Sequence, residues 1–77
     1  MVLNNVREWR LKGSKRRRLP ISQAHLAQRI GVSRSYITKL EQGKLRPSPD
    51  VMFKIAEYFD CTIEEIFFLA GPESKGQ

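Results

Sequence analysis

Residues 23–44, QAHLAQRIGVSRSYITKLEQGK, consist of two short segments with helical periodicity that are separated by Gly-Val-Ser. Each segment has apolar residues on one face. These apolar residues are Leu26, Ala27 and Ile30 in the first segment and Ile37 and Leu40 in the second. The opposite face of the second segment is polar and carries Arg34, Ser35, Thr38 and Lys39. The pattern therefore predicts two short helices, the second of which leaves its polar face free.

Helix boundary signals on both sides of this stretch predict three more helices. Leu3, Val6 and Trp9 recur at helical spacing, which predicts a first helix near residues 3–12. Ser48, followed by Pro49 and Asp50, is a typical start for a fourth helix. Thr62 with Glu65 three residues later forms the capping-box pattern at the start of a fifth helix. The remaining boundary residues are the N-caps Ser22 and Ser33 and the helix stops Gly13, Gly31, Gly43 and Gly71.

The sequence shows no sustained alternation of polar and apolar residues, so the predicted fold class is all-α, a compact five-helix bundle. At 77 residues the chain is expected to form one domain, residues 1–70, followed by a flexible tail, residues 71–77. The segment SKRRRLP, residues 14–20, has no periodicity and contains four consecutive cations. It is predicted to be an exposed basic loop between helices 1 and 2.

Composition excludes several classes of protein. The single cysteine, Cys61, cannot form an intrachain disulfide or a Cys-rich zinc site, and it is interpreted as a core residue. No metal site or cofactor is expected. The chain has no apolar run long enough to span a bilayer and no apolar signal-peptide segment, so we expect a soluble, cytoplasmic protein.

Charge is distributed unevenly along the chain. Residues 1–46 contain twelve Lys and Arg but only two acids, Glu8 and Glu41, for a net charge of +10. Residues 47–77 contain two Lys and six acids, for a net charge of −4. A field of one sign favours binding to nucleic acid or to an anionic membrane surface, although it also keeps a protein soluble.

Two short helices joined by a Gly-containing turn match the helix-turn-helix motif. In that arrangement the first helix supports the second, which enters the major groove of DNA. Ile37 and Leu40 would then hold helix 3 against helix 2, and the polar face of helix 3 would be directed at base edges.

Residues 22–67 resemble the helix-turn-helix family of phage repressor and Cro proteins, the XRE-type regulators. The family pattern comprises Ser/Thr-Gln-x-x-Leu-Ala, Gly-Val-Ser, Ile-Ser/Thr, Glu-x-Gly and a later Pro-Ser helix start. The matching residues are Ser22, Gln23, Leu26, Ala27, Gly31, Val32, Ser33, Ile37, Thr38, Glu41, Gly43, Pro47 and Ser48. The resemblance implies a lambda-repressor-like domain whose helix-turn-helix is formed by helices 2 and 3.

The resemblance also implies site residues. Bases would be contacted from recognition helix 33–42 by Arg34, Ser35, Thr38 and Lys39. Backbone phosphates would be contacted by Ser22, Gln23, Tyr36, Gln42, Lys44 and Arg46. For Tyr36, packing on the helix surface is the alternative.

Glu41 is the one acid between Trp9 and Arg46, and the family commonly pairs this Glu with an Arg of the first helix. Arg10 is the candidate partner in a partly buried ion pair that orients helix 3. The connection before Gln23 is longer than usual in the family. Its cations, Arg17 and Arg18 in particular, could contact the DNA backbone, although a solvated loop or a nuclear import signal is an alternative.

The function expected from these features is sequence-specific binding of double-stranded DNA by a transcriptional regulator, most simply a repressor at a two-fold operator. An antitoxin or a protein-binding adaptor of the same fold, with a toxin or co-regulator as partner, is the alternative. No catalytic constellation is present in the sequence, so an enzyme is not expected. The family's members bind as dimers, and the apolar residues Phe68 and Leu69 are the candidate dimer contact. A bacterial or phage-encoded protein of the nucleoid is expected.

Overall fold

The computed structural model describes residues 2–69 of the chain, and this part forms five helices and two short strands. The elements in chain order are β1 (Val2–Asn4), α1 (Val6–Lys12), α2 (Gln23–Ile30), α3 (Arg34–Glu41), α4 (Pro49–Phe59), α5 (Ile63–Ile66) and β2 (Phe67–Leu69). The predicted five-helix bundle with a helix-turn-helix formed by α2 and α3 is confirmed.

Side-chain caps define where the last four helices begin. In each case a hydroxyl oxygen accepts a hydrogen bond from the backbone N–H three residues later, which satisfies one of the free donors of the first turn. The capping residues are Ser22, Ser33, Ser48 and Thr62. Glu65 completes the predicted capping box by accepting from the Thr62 backbone N–H at 2.8 Å.

The turn between α2 and α3 begins at a glycine in the left-handed conformation. Gly31 has φ +88° and ψ 31°, the left-handed conformation that costs least for glycine, and its N–H donates to the Ala27 carbonyl. Val32 follows and packs against the core. The chain therefore changes direction within three residues, and α2 and α3 pack against each other.

One apolar cluster connects α1, α2, α3, α4 and the end of α5. Within it Trp9 and Phe59 pack with ring centroids 5.9 Å apart. The buried members of the cluster are Val6, Trp9, Leu26, Ala27, Ile30, Ile37, Leu40, Ile55, Phe59, Ile66 and Phe67. Cys61 packs at its edge, where burial raises the pKa of the thiol to about 11.

The prediction of a first helix beginning near residue 3 is wrong. Residues 2–4 form an extended strand that pairs antiparallel with residues 67–69, with Leu3 opposite Phe68. Helix α1 begins only at Val6, whose N–H donates to the side chain of Asn4 at 3.1 Å. Pairing with a segment more than sixty residues away overrides the local helical spacing.

The prediction that the fifth helix continues to Gly71 is also wrong, because α5 ends at Ile66 and Phe67 is extended at φ −115°. The candidate dimer contacts Phe68 and Leu69 therefore lie on a strand. Ala70 and the predicted tail, residues 71–77, lie outside the described residues. Over residues 2–69 none of the helices has the length and apolar character needed to cross a membrane.

Candidate nucleic-acid interface

The polar face of α3 is largely exposed over the described residues. Arg34, Ser35 and Lys39 are exposed, and Thr38 is half-buried beside them. On the opposite side of the helix Ile37 and Leu40 are fully buried in the core. These four polar residues are called the α3 face below. The two apolar residues fix the rotation of the helix and so decide which side chains the face presents.

Gln23, the first residue of α2, connects this face to the interior. Its Nε2 donates to Glu41 Oε1 at 3.0 Å, and its Oε1 accepts from the Thr38 hydroxyl at 2.9 Å. The amide therefore bridges the first turn of α2 to the last two turns of α3. The sequence contained the residues of this link but no signal that they touch.

Arg10 and Glu41 form the ion pair that the resemblance implied. Arg10 Nε donates to Glu41 Oε2 at 2.8 Å and Nη2 donates to Oε1 at 3.3 Å, a bidentate arrangement. The two side chains are only 10% and 4% exposed. Arg10 Nη1 also donates to the carbonyl of Ile21, just before the α2 cap, at 3.0 Å. The Arg10 guanidinium thus connects α1 to the start of α2 and to the end of α3.

This arrangement also determines the electrostatics of the interface. Glu41 is the one acid from residue 10 to residue 46, and its carboxylate is covered and charge-compensated by Arg10. The exposed charges of this part of the chain are consequently all positive. Such a surface attracts a polyanion and does not oppose it locally.

The basic loop 14–20 is attached to the domain at both ends. The Lys15 N–H donates to the Phe59 carbonyl at 3.2 Å, and the Ile21 N–H donates to the Arg10 carbonyl at 3.0 Å. Buried Gly13 allows this path, since its φ of +86° and the backbone of Leu19 directly against its α-carbon leave no room for a β-carbon.

The four loop cations are not equivalent. Lys15 contacts the Glu65 carboxylate at 3.2 Å and Arg16 contacts Asp60 at 3.4 Å. Arg17 and Arg18 are exposed, and within residues 2–69 neither forms an ion pair. The loop thus uses two of its cations to contact the end of α4 and α5, and the other two are exposed ahead of the first turn of α2.

The other predicted phosphate contacts occupy different environments. Gln42, Lys44 and Arg46 are exposed in the segment that follows α3. Tyr36 is half-buried and packs against the core, so the structure shows the packing that was its alternative interpretation. The Ser22 hydroxyl is exposed and accepts the capping bond from the His25 N–H.

Sequence reasoning missed one residue that supports this interface. Asn4, next to α1, donates from Nδ2 to the carbonyl of Leu40 at 2.9 Å and so holds the C-terminal turn of α3. The two residues are 36 positions apart, and no local pattern could have indicated the bond. In the part of the chain that the structure describes, no cluster of three or more His, Cys, Asp or Glu could hold a metal ion.

Comparison with known proteins gives a consistent result. The model of a helix-turn-helix family matches residues 14–66, more than half of the chain. An uncharacterized HTH-type transcriptional regulator of Archaeoglobus fulgidus is 36% identical over 72 residues, 94% of each chain. A second one from the same organism is 44% identical over 88% of this chain and 87% of its own length. One from Methanocaldococcus jannaschii is 43% identical over 69% of this chain and 80% of its own.

Proposed function

Because this chain belongs to the helix-turn-helix family of transcriptional regulators, we propose that it recognises a specific double-stranded DNA operator and represses transcription by occupying it. The observation that carries this proposal is the α3 face, which is fixed in rotation by Ile37 and Leu40 and belongs to a part of the chain, residues 10–46, whose exposed charges are all positive. A helix of this kind fits the major groove, which is about 12 Å wide.

The side chains of the α3 face have distinct roles in this proposal. Arg34, at the N-terminal end of α3, presents a planar fork that binds the O6 and N7 atoms of guanine. Lys39, more than one turn further on, reaches an adjacent base acceptor, and Ser35 and Thr38 supply short hydroxyls close to the helix axis. A bidentate contact of the Arg34 type discriminates between bases by about 1–3 kcal/mol.

Phosphate contacts on both sides of the groove set the register of the protein on DNA. The residues proposed for this role are Ser22, Gln23, Tyr36, Gln42, Lys44, Arg46, Arg17 and Arg18. Gln23 has one amide hydrogen left after its bond to Glu41, and it lies at the α2 N-terminus, where free N–H groups favour an anion. The exposed guanidinium groups of Arg17 and Arg18 would extend the contact along the backbone.

Selection of bound sequences from a random duplex pool tests the proposal. At moderate salt the wild-type protein is expected to enrich one two-fold-symmetric site, and Arg34→Ala and Lys39→Ala are expected to lose the enrichment. Lys54→Ala, which removes an exposed cation from α4, is the matched control and should select the wild-type site. Weak enrichment without a consensus, together with recovery of a toxin in a pull-down, would instead support the antitoxin or adaptor alternative.

A salt titration of operator binding separates the loop cations from one another. The log–log slope of affinity against salt changes by about 0.9 for each phosphate neutralised. Arg17→Gln and Arg18→Gln should each make the slope shallower by about one, with the sequence preference unchanged. Arg16→Gln, from the same loop, should leave the slope unaltered, since Arg16 is directed at Asp60.

We also propose that the protein binds its operator as a homodimer through Phe68 and Leu69. Phe68 is 44% exposed, and it lies on a two-stranded ribbon in which each strand has an outer edge without a partner among residues 2–69. Such edges pair readily with another chain. Ile66 and Phe67, its neighbours, are buried in the core.

Sedimentation velocity tests the dimer. Phe68→Ser is expected to shift the protein toward monomer, while Phe53→Ser, which removes a phenylalanine that is 63% exposed on α4, should not. A wild-type protein that stays monomeric at high concentration, or a dimer lost only on Phe53→Ser, contradicts the assignment.

The remaining parts of the proposal concern location and chemistry. We infer that the protein acts in the cytoplasm on the nucleoid of a bacterium or a phage host. No catalytic role is assigned, because helix-turn-helix regulators act by binding.

A further inference from the structure

We infer that Thr38 reads DNA only as a hydrogen-bond acceptor, so that it selects a base whose amino group lies in the major groove, adenine or cytosine, on the strand it contacts. The inference rests on the proposed function, since it requires the α3 face to enter the major groove. Arg10 and Thr38 are connected by successive hydrogen bonds through Glu41 and Gln23. The inference follows from which group donates and which accepts in each of these bonds.

The direction is fixed first at Glu41. Its Oε2 accepts from Arg10 Nε at 2.8 Å, and its Oε1 accepts from Arg10 Nη2 at 3.3 Å. A carboxylate held by a guanidinium has no proton to donate. The Gln23 side chain, 3.0 Å from Glu41 Oε1, must therefore present its NH₂ group to that oxygen. The amide cannot be turned round without placing two acceptors against each other.

This orientation places the carbonyl oxygen of Gln23 against Thr38. An amide oxygen is an acceptor only, so the hydroxyl of Thr38 has to donate its single proton across the 2.9 Å separation. Since the proton is used inside the protein, the lone pairs of Thr38 Oγ1 are what remains for another partner. The ion pair below the interface thus sets the hydrogen-bonding character of a residue on its surface.

The major groove presents both kinds of partner. Adenine N6 and cytosine N4 are donors, while guanine O6 and N7 and thymine O4 are acceptors. An acceptor-only hydroxyl is complementary to the first group and opposed by the second. Ser35, which is exposed on the same face, has a hydroxyl that can rotate and serve either kind. The two hydroxyl residues of α3 are consequently expected to differ in selectivity.

The experiment measures operator binding with base analogues. The enriched site is determined for the wild-type protein and for Thr38→Val, and the position whose preference changes is assigned to Thr38. The base there is then replaced by an analogue without its amino group, purine for adenine or 2-pyrimidinone for cytosine. Wild-type affinity should fall by about 2- to 12-fold, the range for one net hydrogen bond, and Thr38→Val affinity should not change.

Gln23→Met tests whether the Gln23 amide determines the direction of the Thr38 hydrogen bond. It removes both hydrogen bonds of the amide and frees the Thr38 hydroxyl to donate, so guanine and thymine should become acceptable at the Thr38 position and at no other. Overall affinity should also fall, because a phosphate contact is lost. Thermal unfolding of each variant shows whether it is folded, and Thr38→Ser, which keeps the hydroxyl, should retain the wild-type preference.

Two results would overturn the inference while leaving the proposed function in place. One is a guanine or thymine at the assigned position in the wild-type site. The other is an enriched site that needs Arg34 but shows the same base preferences for the wild-type protein and for the Thr38→Val variant. Failure to enrich any site overturns the proposed function and this inference together.

Discussion

The ion pair beneath the α2–α3 interface and the ion pairs that attach the basic loop have the same chemistry but different surroundings. Arg10 and Glu41 meet at 2.8 Å with side chains 10% and 4% exposed, whereas Arg16 and Asp60 meet at 3.4 Å with side chains 80% and 45% exposed. A buried pair that loses one partner leaves an unpaired charge in a medium of low polarity. An exposed pair that loses a partner is resolvated by water.

The comparison indicates that the two basic regions have different tasks. The α3 face rests on a rigid support that determines which groups its side chains present. Arg17 and Arg18 belong to a loop whose attachments at Lys15 and Arg16 are exposed and weak. We therefore expect the α3 face to determine sequence preference and the loop to supply affinity without specificity.

The largest effect is expected for Arg10→Met. The substitution keeps much of the apolar stem but leaves Glu41 buried without its cation, so the free energy of unfolding should fall by about 3–5 kcal/mol. Urea denaturation measures this loss, and operator affinity should fall with it because α3 is no longer fixed. Arg7→Met, on the exposed side of α1, is the matched control and should change stability little. Unchanged stability and DNA affinity in Arg10→Met would show that the buried ion pair does not support α3 in the way proposed.

Next in size is Gly13→Ala. Gly13 has φ +86° and ψ 174°, a region that only glycine adopts readily, and a β-carbon there would collide with the loop backbone at Leu19. We expect a loss of about 1–3 kcal/mol together with displacement of the loop, visible as a shallower salt dependence of operator binding. Gly31→Ala shares the positive φ but meets no neighbouring atom within 4 Å. Gly31→Ala should therefore lower the free energy of unfolding less than Gly13→Ala and leave the salt dependence of operator binding unchanged. Equal losses of stability in the two variants would contradict a special role for the close approach at Gly13.

A smaller effect is expected for Arg16→Gln. Because its pair with Asp60 is exposed, chemical denaturation should show a loss of less than about 0.5 kcal/mol, and added salt should reduce that difference further. A loss approaching that of Arg10→Met would mean that exposure does not distinguish the two kinds of pair.

The smallest effect concerns Glu65. The Thr62 backbone N–H, and then the Lys15 ammonium, hold the pKa of this carboxyl below its ordinary value of 4.5. A carboxyl with a lowered pKa in the folded state stabilises the protein above its ordinary pKa, and the contribution disappears as pH falls through the folded-state value. Glu65→Gln keeps a side-chain oxygen that can accept the capping-box hydrogen bond from the Thr62 N–H, but it does not titrate. Its stability deficit relative to wild type should therefore be present at neutral pH and shrink on acidification below the ordinary carboxyl pKa, as measured by thermal unfolding across that range.

Local signals in the sequence identified most of the helical framework. Ser22, Ser33, Ser48 and Thr62 begin helices in the structure because a cap bond spans only three residues and depends on residue type alone. The apolar spacing of Ile37 and Leu40 likewise predicted which side of α3 is buried. The position of Arg10 against Glu41 came from the resemblance to a family.

Where distant segments meet, the sequence by itself failed. Leu3 fitted a helical spacing, but its pairing with Phe68 places it in a strand. The bond from Asn4 to the Leu40 carbonyl and the bridge from Gln23 to Thr38 join residues that are 36 and 15 positions apart. Such contacts exist only after the chain has closed, and no periodicity of three or four residues reports them.

The sequence thus determined the helices, their caps, the buried face of α3 and the charge asymmetry, because each depends on neighbours within about one turn or on composition. Tertiary structure alone decided the ribbon formed by residues 2–4 and 67–69, the ion pairs that Lys15 and Arg16 form in the loop, and the direction of the hydrogen bonds that reach Thr38. Those features depend on desolvation and on the complementarity of donors and acceptors, and both arise only when separate parts of the chain come into contact.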